Sequence, residues 1–274
     1  MGEETVMQHE LEWIERQALI DLNKALAGKA VSLGRSSRAL DGTYVSAFAA
    51  LAPTAIVLNR TIGLGVERPA DAATIEAVLQ IYEEAGISRY FVHLHPEAGP
   101  ADLANRLKAR GLVSARAWVK FSRGRERSPA AATRLEVRQA GAADAAALGR
   151  IVADAFDLGP AGEALIPAVV GRPNWHVFMT AWDGKPAGCG ALYIENDIAW
   201  LDWGATLPDY RGLNGQSALL RHRISHALDL GCRLLVSCTG DEVPGEPQIS
   251  YRNITKMGFQ PAYTRRNMAP PKPG

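Results

Sequence analysis

The feature that most constrains the fold is a strand–turn–helix segment at residues 200–230. Its first part, WLDWGATL, is apolar and aromatic except at Asp202, a composition that predicts a half-buried strand. Pro208 and Asp209 end this strand, and the turn RGLNGQ at 211–216 follows. Beyond the turn, apolar residues at helical spacing predict a helix. We therefore expect a mixed α/β fold organised around this unit.

The turn at 211–216 has the chemistry of an anion-binding site. A helix N-terminus leaves several backbone N–H groups unpaired and pointing one way, and the helix dipole adds positive charge there. Gly212 and Gly215 would let a phosphate approach the backbone, and Asn214 tolerates a positive φ. Arg211 adds a permanent cation. These residues favour a pyrophosphate site, although an ordinary tight turn in an α/β domain has the same spacing.

The segment PDYRGLNGQSALL resembles motif A of the GNAT superfamily of acyl-CoA-dependent N-acyltransferases. In that motif, Arg/Gln-x-x-Gly-x-Gly/Ala wraps the pyrophosphate of coenzyme A. By position, Arg211 matches the leading Arg, whereas Asn214 and Gln216 stand at the first Gly and at the final Gly/Ala. The adjacent Gly212 and Gly215 could preserve the backbone path.

A second segment, SYRNITKMGF at 250–259, resembles motif B of the same superfamily. Asn253 matches the position that usually contacts the coenzyme. Many members carry a general-acid tyrosine four residues before the glycine, and this chain has Ile254 there. The acid role is therefore vacant or belongs to Tyr251, for which a plain packing role is equally open.

The resemblance implies acetyl-CoA as co-substrate and no metal. The residues implied to bind it come from the end of the central strand, the turn, the start of the helix and motif B: Ala205, Thr206, Leu207, Arg211, Gly212, Leu213, Asn214, Gly215, Gln216, Ser217 and Asn253.

The mechanism that the resemblance implies is direct acyl transfer from the thioester to a neutral amine. A backbone N–H near Leu207 would polarise the thioester carbonyl. Asp202 is the only acid on the central strand, and alternation predicts that it shares a face with Trp200 and Gly204. Asp202 is thus a candidate base or amine anchor, with a structural carboxylate as the other interpretation. Glu195, at the end of the preceding predicted strand, is an alternative base.

Two hypotheses about function follow. The first is an acyl-CoA-dependent N-acyltransferase that transfers acetyl from acetyl-CoA to an unidentified small-molecule or peptide amine. The second is a non-catalytic acyl-CoA-binding or scaffold protein. The altered motif A and the missing tyrosine favour the second hypothesis, whereas the retained residues Arg211, Gly212, Gly215 and Asn253 favour the first.

The two halves of the chain repeat one order of predicted elements. Each half has the order strand, turn, helix, Gly, strand, helix, Gly, strand. The first glycine of the second half, Gly231, comes 145 residues after its counterpart Gly86. Gly258 comes 147 residues after Gly111. This near-equal spacing supports a duplicated domain, with chance similarity between α/β segments as the alternative. We expect two tandem GNAT-like domains, each a mixed, mostly antiparallel sheet flanked by helices.

The linker candidate GRERSPAAAT at 124–133 sets the expected domain bounds. They are a degenerate N-terminal domain at 1–123, a catalytic C-terminal domain at 134–268 and a disordered tail at 269–274. The turn of the first domain reads ERPADAAT, which has no glycine and offers carboxylates instead of open amides. We therefore expect no coenzyme A site in the first domain.

Composition excludes several classes of partner. The 274 residues carry 30 Lys+Arg against 29 Asp+Glu, so a broad charged surface for nucleic acid or anionic membrane is not expected. No apolar run is long enough to span a bilayer, and three dispersed cysteines fit a reducing compartment, so we expect a cytoplasmic protein. His93 and His95 share a strand face but lack a third ligand, which favours structural roles. The oligomeric state is not indicated.

Overall fold

The computed structural model describes residues 3–130 and 132–272, and for residues 3–7 it describes the backbone alone. The described residues form seven α-helices and eleven β-strands. The helices are α1 (Glu3–Ala25), α2 (Ala72–Glu84), α3 (Leu103–Lys108), α4 (Ala145–Ala155), α5 (Leu165–Val169), α6 (Gly215–Asp229) and α7 (Ile249–Lys256). The strands are β1 (Arg38–Leu40), β2 (Thr43–Ser46), β3 (Arg60–Ile62), β4 (Phe91–Leu94), β5 (Val113–Arg123), β6 (Glu136–Gln139), β7 (Trp175–Trp182), β8 (Lys185–Glu195), β9 (Ile198–Thr206), β10 (Leu234–Gly240) and β11 (Gln260–Ala269).

Two compact units divide the chain. Unit 1 comprises Met1–Val119 and Tyr263–Gly274, and unit 2 comprises Lys120–Ala262. The strand order is β1-β2-β3-β4-β11-β5 in unit 1 and β5-β10-β9-β8-β7-β6 in unit 2. One boundary between the units falls within β5, after Val119, and the other falls within β11, after Ala262. Strand β5 is therefore named in both orders.

Each unit contains a mixed, mostly antiparallel sheet flanked by helices, which confirms the predicted fold class. Among the strand pairs of described register, β3 with β4 and β9 with β10 are parallel, and the others are antiparallel. In each unit the parallel pair is joined through a helix, α2 in unit 1 and α6 in unit 2. The repeated order of elements predicted from the glycine spacing is therefore present in both halves of the chain.

Buried ion pairs join α1 to the sheet of unit 1. Arg265, on β11, has 0% exposure and lies 3.1 Å from Glu12 and 2.8 Å from Glu15 through Nη1. Arg60, on β3, also pairs with Glu15. Tyr263 donates its hydroxyl to Glu12 at 2.8 Å. Because such charges are stable in a protein interior only when paired, these contacts fix the second half of β11 within unit 1.

The structural division differs from the predicted domain bounds at the C-terminus. The C-terminal domain was predicted to continue to residue 268, whereas unit 2 ends at Ala262, because β11 then pairs antiparallel with β4. The predicted disordered tail began at residue 269, but Ala269 is buried in β11 and the carbonyl of Pro270 accepts a hydrogen bond from Arg89 at 3.1 Å. Residues 273–274 of that tail lie outside the described residues, as does residue 131 of the predicted linker.

Helix α6 packs on the sheet of unit 2 through the stripe predicted from its sequence. It contacts β7, β8 and β9, and its buried residues include Leu219, Arg223 and Ile224. Helix α4 also contacts β8 and β9. Within the described part of the chain, no helix is both long and apolar enough to cross a membrane.

Candidate active site

A cleft opens in unit 2 where two parallel strands separate. Strands β9 and β10 pair at Ile198–Trp200 with Leu234–Val236, and their described register stops there. At the next position the hydroxyl of Ser237 donates to the carbonyl of Leu201 at 3.2 Å. A side-chain hydrogen bond thus joins the two strands at the point where their described backbone pairing ends. A cavity of about 680 Å³ lies at this opening, bordered by the ends of both strands, the turn after β9, and helices α6 and α7.

Most of the residues predicted to form the site line this cavity. The lining includes Asp202, Ala205, Thr206, Arg211, Gly212, Asn214, Gly215, Gln216, Ser217 and Asn253. Three predicted residues, all within the described part of the chain, are not among those that line it: Leu207, Leu213 and Tyr251. The turn, the central strand and motif B are thus brought together, although Asp202 and Asn253 are 51 residues apart in sequence.

A β-bulge interrupts β9 beside Asp202. Asp202 pairs with Ala191 and Ala205 pairs with Cys189, which leaves one β8 residue opposite two residues of β9. Trp203, in the bulge, has φ 53°, and its indole packs edge-on against Phe156 with ring centroids 5.3 Å apart. The alternation used to group Asp202 with Gly204 therefore breaks at Trp203.

The bulge and the pairing on β8 decide which backbone N–H groups face the cleft. The N–H of Leu207 donates to the carbonyl of Ala187 at 2.9 Å, so it is already used in the sheet. The predicted donor near Leu207 cannot be that N–H. Because N–H groups alternate in direction along a strand, the N–H of Thr206 points away from β8, to the side on which β10 separates.

The turn after β9 opens the helix N-terminus toward the cavity. Gly212 has φ 80° and Asn214 has φ 62°, the left-handed conformation expected for a residue standing in for glycine. Asn214 donates its amide to the carbonyl of Ala132 at 2.7 Å, so its side chain is turned away from the helix. Among the described residues, no side chain caps the N-terminus of α6. The first turn of this helix can therefore receive an anion.

Two residues of this first turn have roles that the motif did not predict. A Cβ at Gly215 would lie 2.9 Å from Cδ1 of Leu135, so a side chain there would displace the end of that leucine. Gln216 donates to the hydroxyl of Thr206 at 2.9 Å and so ties the start of α6 to the end of β9. Its side chain thus lies along the cleft instead of across the N-terminus of the helix.

Asp202 lines the cavity with both carboxylate oxygens engaged by neighbours. Oδ2 accepts from the indole N–H of Trp200 at 3.0 Å, and Oδ1 accepts from the backbone N–H of Trp203 at 2.8 Å. The carboxylate is therefore held in place at the edge of the bulge. The alternative base, Glu195, accepts a hydrogen bond from Tyr193 at 2.6 Å and is not among the residues that line the cavity.

Motif B contributes one face of the cavity through α7. Asn253 and Ile254 line it, whereas the ring of Tyr251 packs edge-on against Phe121 at 5.0 Å. Partial burial, with smaller contributions from Glu242 and Asp241, raises the pKa of Tyr251 above its usual value. The packing interpretation of Tyr251 is consistent with this position, and the position at which an acid tyrosine was sought holds the apolar side chain of Ile254.

Arg223 lines the cavity, although neither motif includes it. Its residue exposure is 2%, and its Nη1 donates to the backbone carbonyls of Ala191 at 3.0 Å and Asp202 at 2.9 Å. Burial lowers the pKa of Arg223 to about 10, against smaller opposing effects of Cys189 and Asp202, so it stays charged at neutral pH. The signal in the sequence was an arginine within the apolar stripe of α6.

The histidine pair of unit 1 has a structural environment. His93 is fully buried, and its Nδ1 lies 2.5 Å from Oδ1 of Asn267. Burial holds the pKa of His93 well below its usual value, so the ring is neutral. The described residues contain no group of three or more His, Cys, Asp or Glu side chains that could hold a metal ion.

Comparisons with known proteins agree with this geometry. Residues 153–251 match the model of the acetyltransferase (GNAT) family. No curated protein sequence matches the chain. A solved GCN5-related N-acetyltransferase from Kribbella flavida is similar over 100% of this chain and 97% of its own, with TM-score 0.64 and 18% identity.

Two further solved structures share the fold at lower similarity. A GCN5-related N-acetyltransferase from Sphaerobacter thermophilus has TM-score 0.57 and 11% identity, over 83% of this chain and 76% of its own. A tandem GNAT protein from the clavulanic acid biosynthesis pathway has TM-score 0.50 and 17% identity, over 77% of this chain and 73% of its own. At these identities the similarity concerns the fold.

Proposed function

We propose that unit 2 is an acyl-CoA-dependent N-acyltransferase that uses acetyl-CoA and an amine acceptor, a proposal supported by the match of residues 153–251 to the GNAT acetyltransferase model. The observation that carries the proposal is the cavity at the separation of β9 and β10. It joins an uncapped helix N-terminus, an open strand edge and a fixed carboxylate in one space. These are the three parts that binding a pyrophosphate, polarising a thioester and receiving an amine would need.

The turn at Arg211–Ser217 is the proposed pyrophosphate site. The backbone N–H groups at the start of α6 and the positive end of the helix dipole would bind the two phosphates. Arg211 is exposed beside the cavity, so its guanidinium can fold over the anion. Asn253, on α7, would contact the pantetheine arm from the other side of the cavity.

The reaction proposed for the Asp202 end of the cleft is direct transfer. The nitrogen of a neutral amine attacks the thioester carbonyl carbon, the C–S bond breaks, and the electron pair leaves on the thiolate. The N–H of Thr206 would stabilise the oxyanion. Asp202 takes the proton lost by the amine or anchors the amine, and solvent returns a proton to the thiolate.

Acetyl-CoA titration by calorimetry tests the binding step. We expect one equivalent per chain, since the corresponding turn of unit 1 offers carboxylates. Arg211→Ala, which removes both the charge and the donors, should weaken binding by roughly 10- to 100-fold, the range for a charge-assisted hydrogen bond. Two equivalents per chain, or unchanged affinity in Arg211→Ala, would contradict the proposal.

Thiol release with a panel of small amines tests catalysis. Release that depends on both acetyl-CoA and one class of amine supports the transferase. The second function, a non-catalytic acyl-CoA-binding protein, is favoured by Ile254 in the cavity wall and by the packed position of Tyr251. Tight binding of coenzyme A, with no thiol released from acetyl-CoA in the presence of any amine, would support the non-catalytic function.

A further inference from the structure

The guanidinium of Arg223 has hydrogen-bonding capacity that the fold does not use. Its Nε donates to the carbonyl of Leu219 at 3.3 Å, and Nη1 donates to the carbonyls of Ala191 and Asp202. Among the described residues, no acceptor bonds Nη2. A buried cation that caps two carbonyls of a bulge therefore still has two N–H groups to offer.

The position of Nη2 places this capacity in the cavity. Arg223 is one of the lining residues, and Nη2 lies 3.8 Å from the point that a Cβ of Gly204 would occupy. Since Nη1 bonds the carbonyl of Asp202, the guanidinium lies at the same end of the cavity as the carboxylate of that residue. This is the end at which we place the acyl group and the amine.

The surrounding sheet makes room for the charge. A Cβ at Gly190 would lie 2.9 Å from Cζ of Arg223, so a side chain there would displace the guanidinium. The bulge at Trp203 presents the carbonyl of Asp202 to Nη1. The hydrogen bonds that hold the arginine go to backbone carbonyls, which fixes the position of Nη2.

We propose that Arg223 binds a carboxylate on one of the two substrates, through Nη2, at the reacting end of the cavity. This inference rests on the proposed acyltransferase function. An ionised oxygen is the acceptor that best compensates a buried, incompletely bonded guanidinium. The carboxylate can belong to the acyl donor, as in a dicarboxylic acyl-CoA, or to the amine acceptor, as in an amino acid.

Matched ligands distinguish the two sources. In the donor arm, calorimetry compares succinyl-CoA with butyryl-CoA and malonyl-CoA with propionyl-CoA, pairs that differ in a carboxylate for a terminal methyl. In the acceptor arm, acetyl-CoA is given, and thiol release is compared for β-alanine with propylamine and for γ-aminobutyrate with butylamine. In one of the two arms, we expect the ligand with the carboxylate to bind more tightly, or to react faster, than its methyl partner by roughly 10- to 100-fold.

Variants assign the discrimination to Arg223. The measured quantity is the ratio of affinities, or of thiol-release rates, between the carboxylate and methyl members of a pair. Arg223→Met should bring this ratio close to 1, and Arg223→Lys, which keeps a cation, should retain part of the preference. Gly204→Ala fills space in front of Nη2 while leaving Arg223 in place, so it should also lower the ratio. Melting temperature and acetyl-CoA affinity show whether each variant is folded.

Three results would overturn the inference while leaving the acyltransferase proposal intact. They are equal use of both members of every pair by the wild type, a preference that persists in Arg223→Met, and an equal loss of affinity for all coenzyme A esters in the Arg223 variants. Failure of the wild type to bind any coenzyme A ester would instead reject the proposed function itself.

Discussion

Helices α2 and α6 follow corresponding strands in the two units but begin in different ways. Helix α2 begins after Asp71, whose carboxylate accepts the N–H of Thr74 at 2.7 Å. Helix α6 begins after Asn214, whose side chain bonds the carbonyl of Ala132. A carboxylate of the chain itself therefore occupies the anion position in unit 1, and the same position is open in unit 2.

The other charged side chains of the turn before α2 form ion pairs within unit 1. Glu67 lies 2.5 Å from Arg16, and Arg68 lies 2.8 Å from Asp41. Backbone hydrogen bonding by Thr74 lowers the pKa of Asp71, so the carboxylate stays charged at neutral pH. A pyrophosphate would have to displace an existing acceptor and face a second acid.

The parallel strand pairs differ as much as the helix ends. Strand β3 has three residues, and two of them pair with β4. Strand β9 has nine residues and continues past its pairing with β10 through the bulge at Trp203. The comparison teaches that this supersecondary unit becomes a candidate site only where an open helix end meets a separated strand end.

The largest expected effect concerns the chemistry of the unit 2 cleft. If Asp202 is the base or the amine anchor, Asp202→Asn should lower turnover by roughly 10²–10⁴, the range for a positioned acid–base group. Acetyl-CoA affinity should change little, because Asp202 lies at the bulge and not in the turn. Steady-state rates and calorimetry on one preparation measure both quantities.

Asp209→Asn is the matched control for Asp202→Asn. Asp209 is exposed, follows the same strand and is not among the residues that line the cavity. Its replacement should leave turnover within two-fold. Full turnover in Asp202→Asn would return Asp202 to a structural role at the bulge and leave the chemistry to backbone polarisation and solvent.

The next largest effect concerns the open turn. Gly212→Val should weaken acetyl-CoA binding by roughly 100-fold, because φ 80° is strained for a β-branched residue and the turn must change its path. A Cβ at Gly212 would meet nothing within 4 Å, so the effect would come from the backbone and not from a clash. Calorimetry measures the loss.

Gly171→Val separates general strain from loss of the site. Gly171 also has a positive φ, 81°, with nothing within 4 Å of a Cβ, and it lies after α5. Both variants should lose similar stability, but Gly171→Val should keep its acetyl-CoA affinity. Equal affinity in the two variants would mean that the turn at Arg211–Ser217 does not bind the coenzyme.

The sequence predicted the elements around the site better than it predicted contacts within it. Helical and alternating patterns predicted β9 and α6 to within a few residues, because amphipathicity and turn residues are local signals. The bulge at Trp203 is not local, since it depends on register with β8. For that reason, alternation along the strand could not predict which residues share a face with Asp202. It also could not predict which backbone N–H near Leu207 points into the cleft.

Residues that act through tertiary contacts were also difficult to predict. Arg223 fits the apolar stripe through its aliphatic stem, and its hydrogen bonds need carbonyls from two other strands. The exchange of the second half of β11 into unit 1 depends on buried pairs with Glu12 and Glu15, some 250 residues away in sequence. No pattern within β11 indicates that pairing.

A small effect is expected from the packed tyrosine of α7. Tyr251→Phe should change turnover by less than about two-fold, because the ring contacts Phe121 and is not among the residues that line the cavity. The alkaline limb of the pH–rate profile should also stay in place. A loss of that limb in Tyr251→Phe would instead make the hydroxyl the acid that protonates the thiolate.

The smallest effect tests the closed helix end of unit 1. The pKa of Asp71 is lowered in the folded protein, mainly by the N–H of Thr74, so its charge stabilises the fold above the unfolded pKa of about 4 and this contribution is lost as pH falls through the folded pKa. Asp71→Asn keeps a capping acceptor without the charge. Its melting temperature should therefore fall slightly below wild type near pH 7 and converge with it in acid. Acetyl-CoA should still bind at one equivalent per chain, and a constant melting-temperature difference at all pH values would mean that the charge of Asp71 does not stabilise the start of α2.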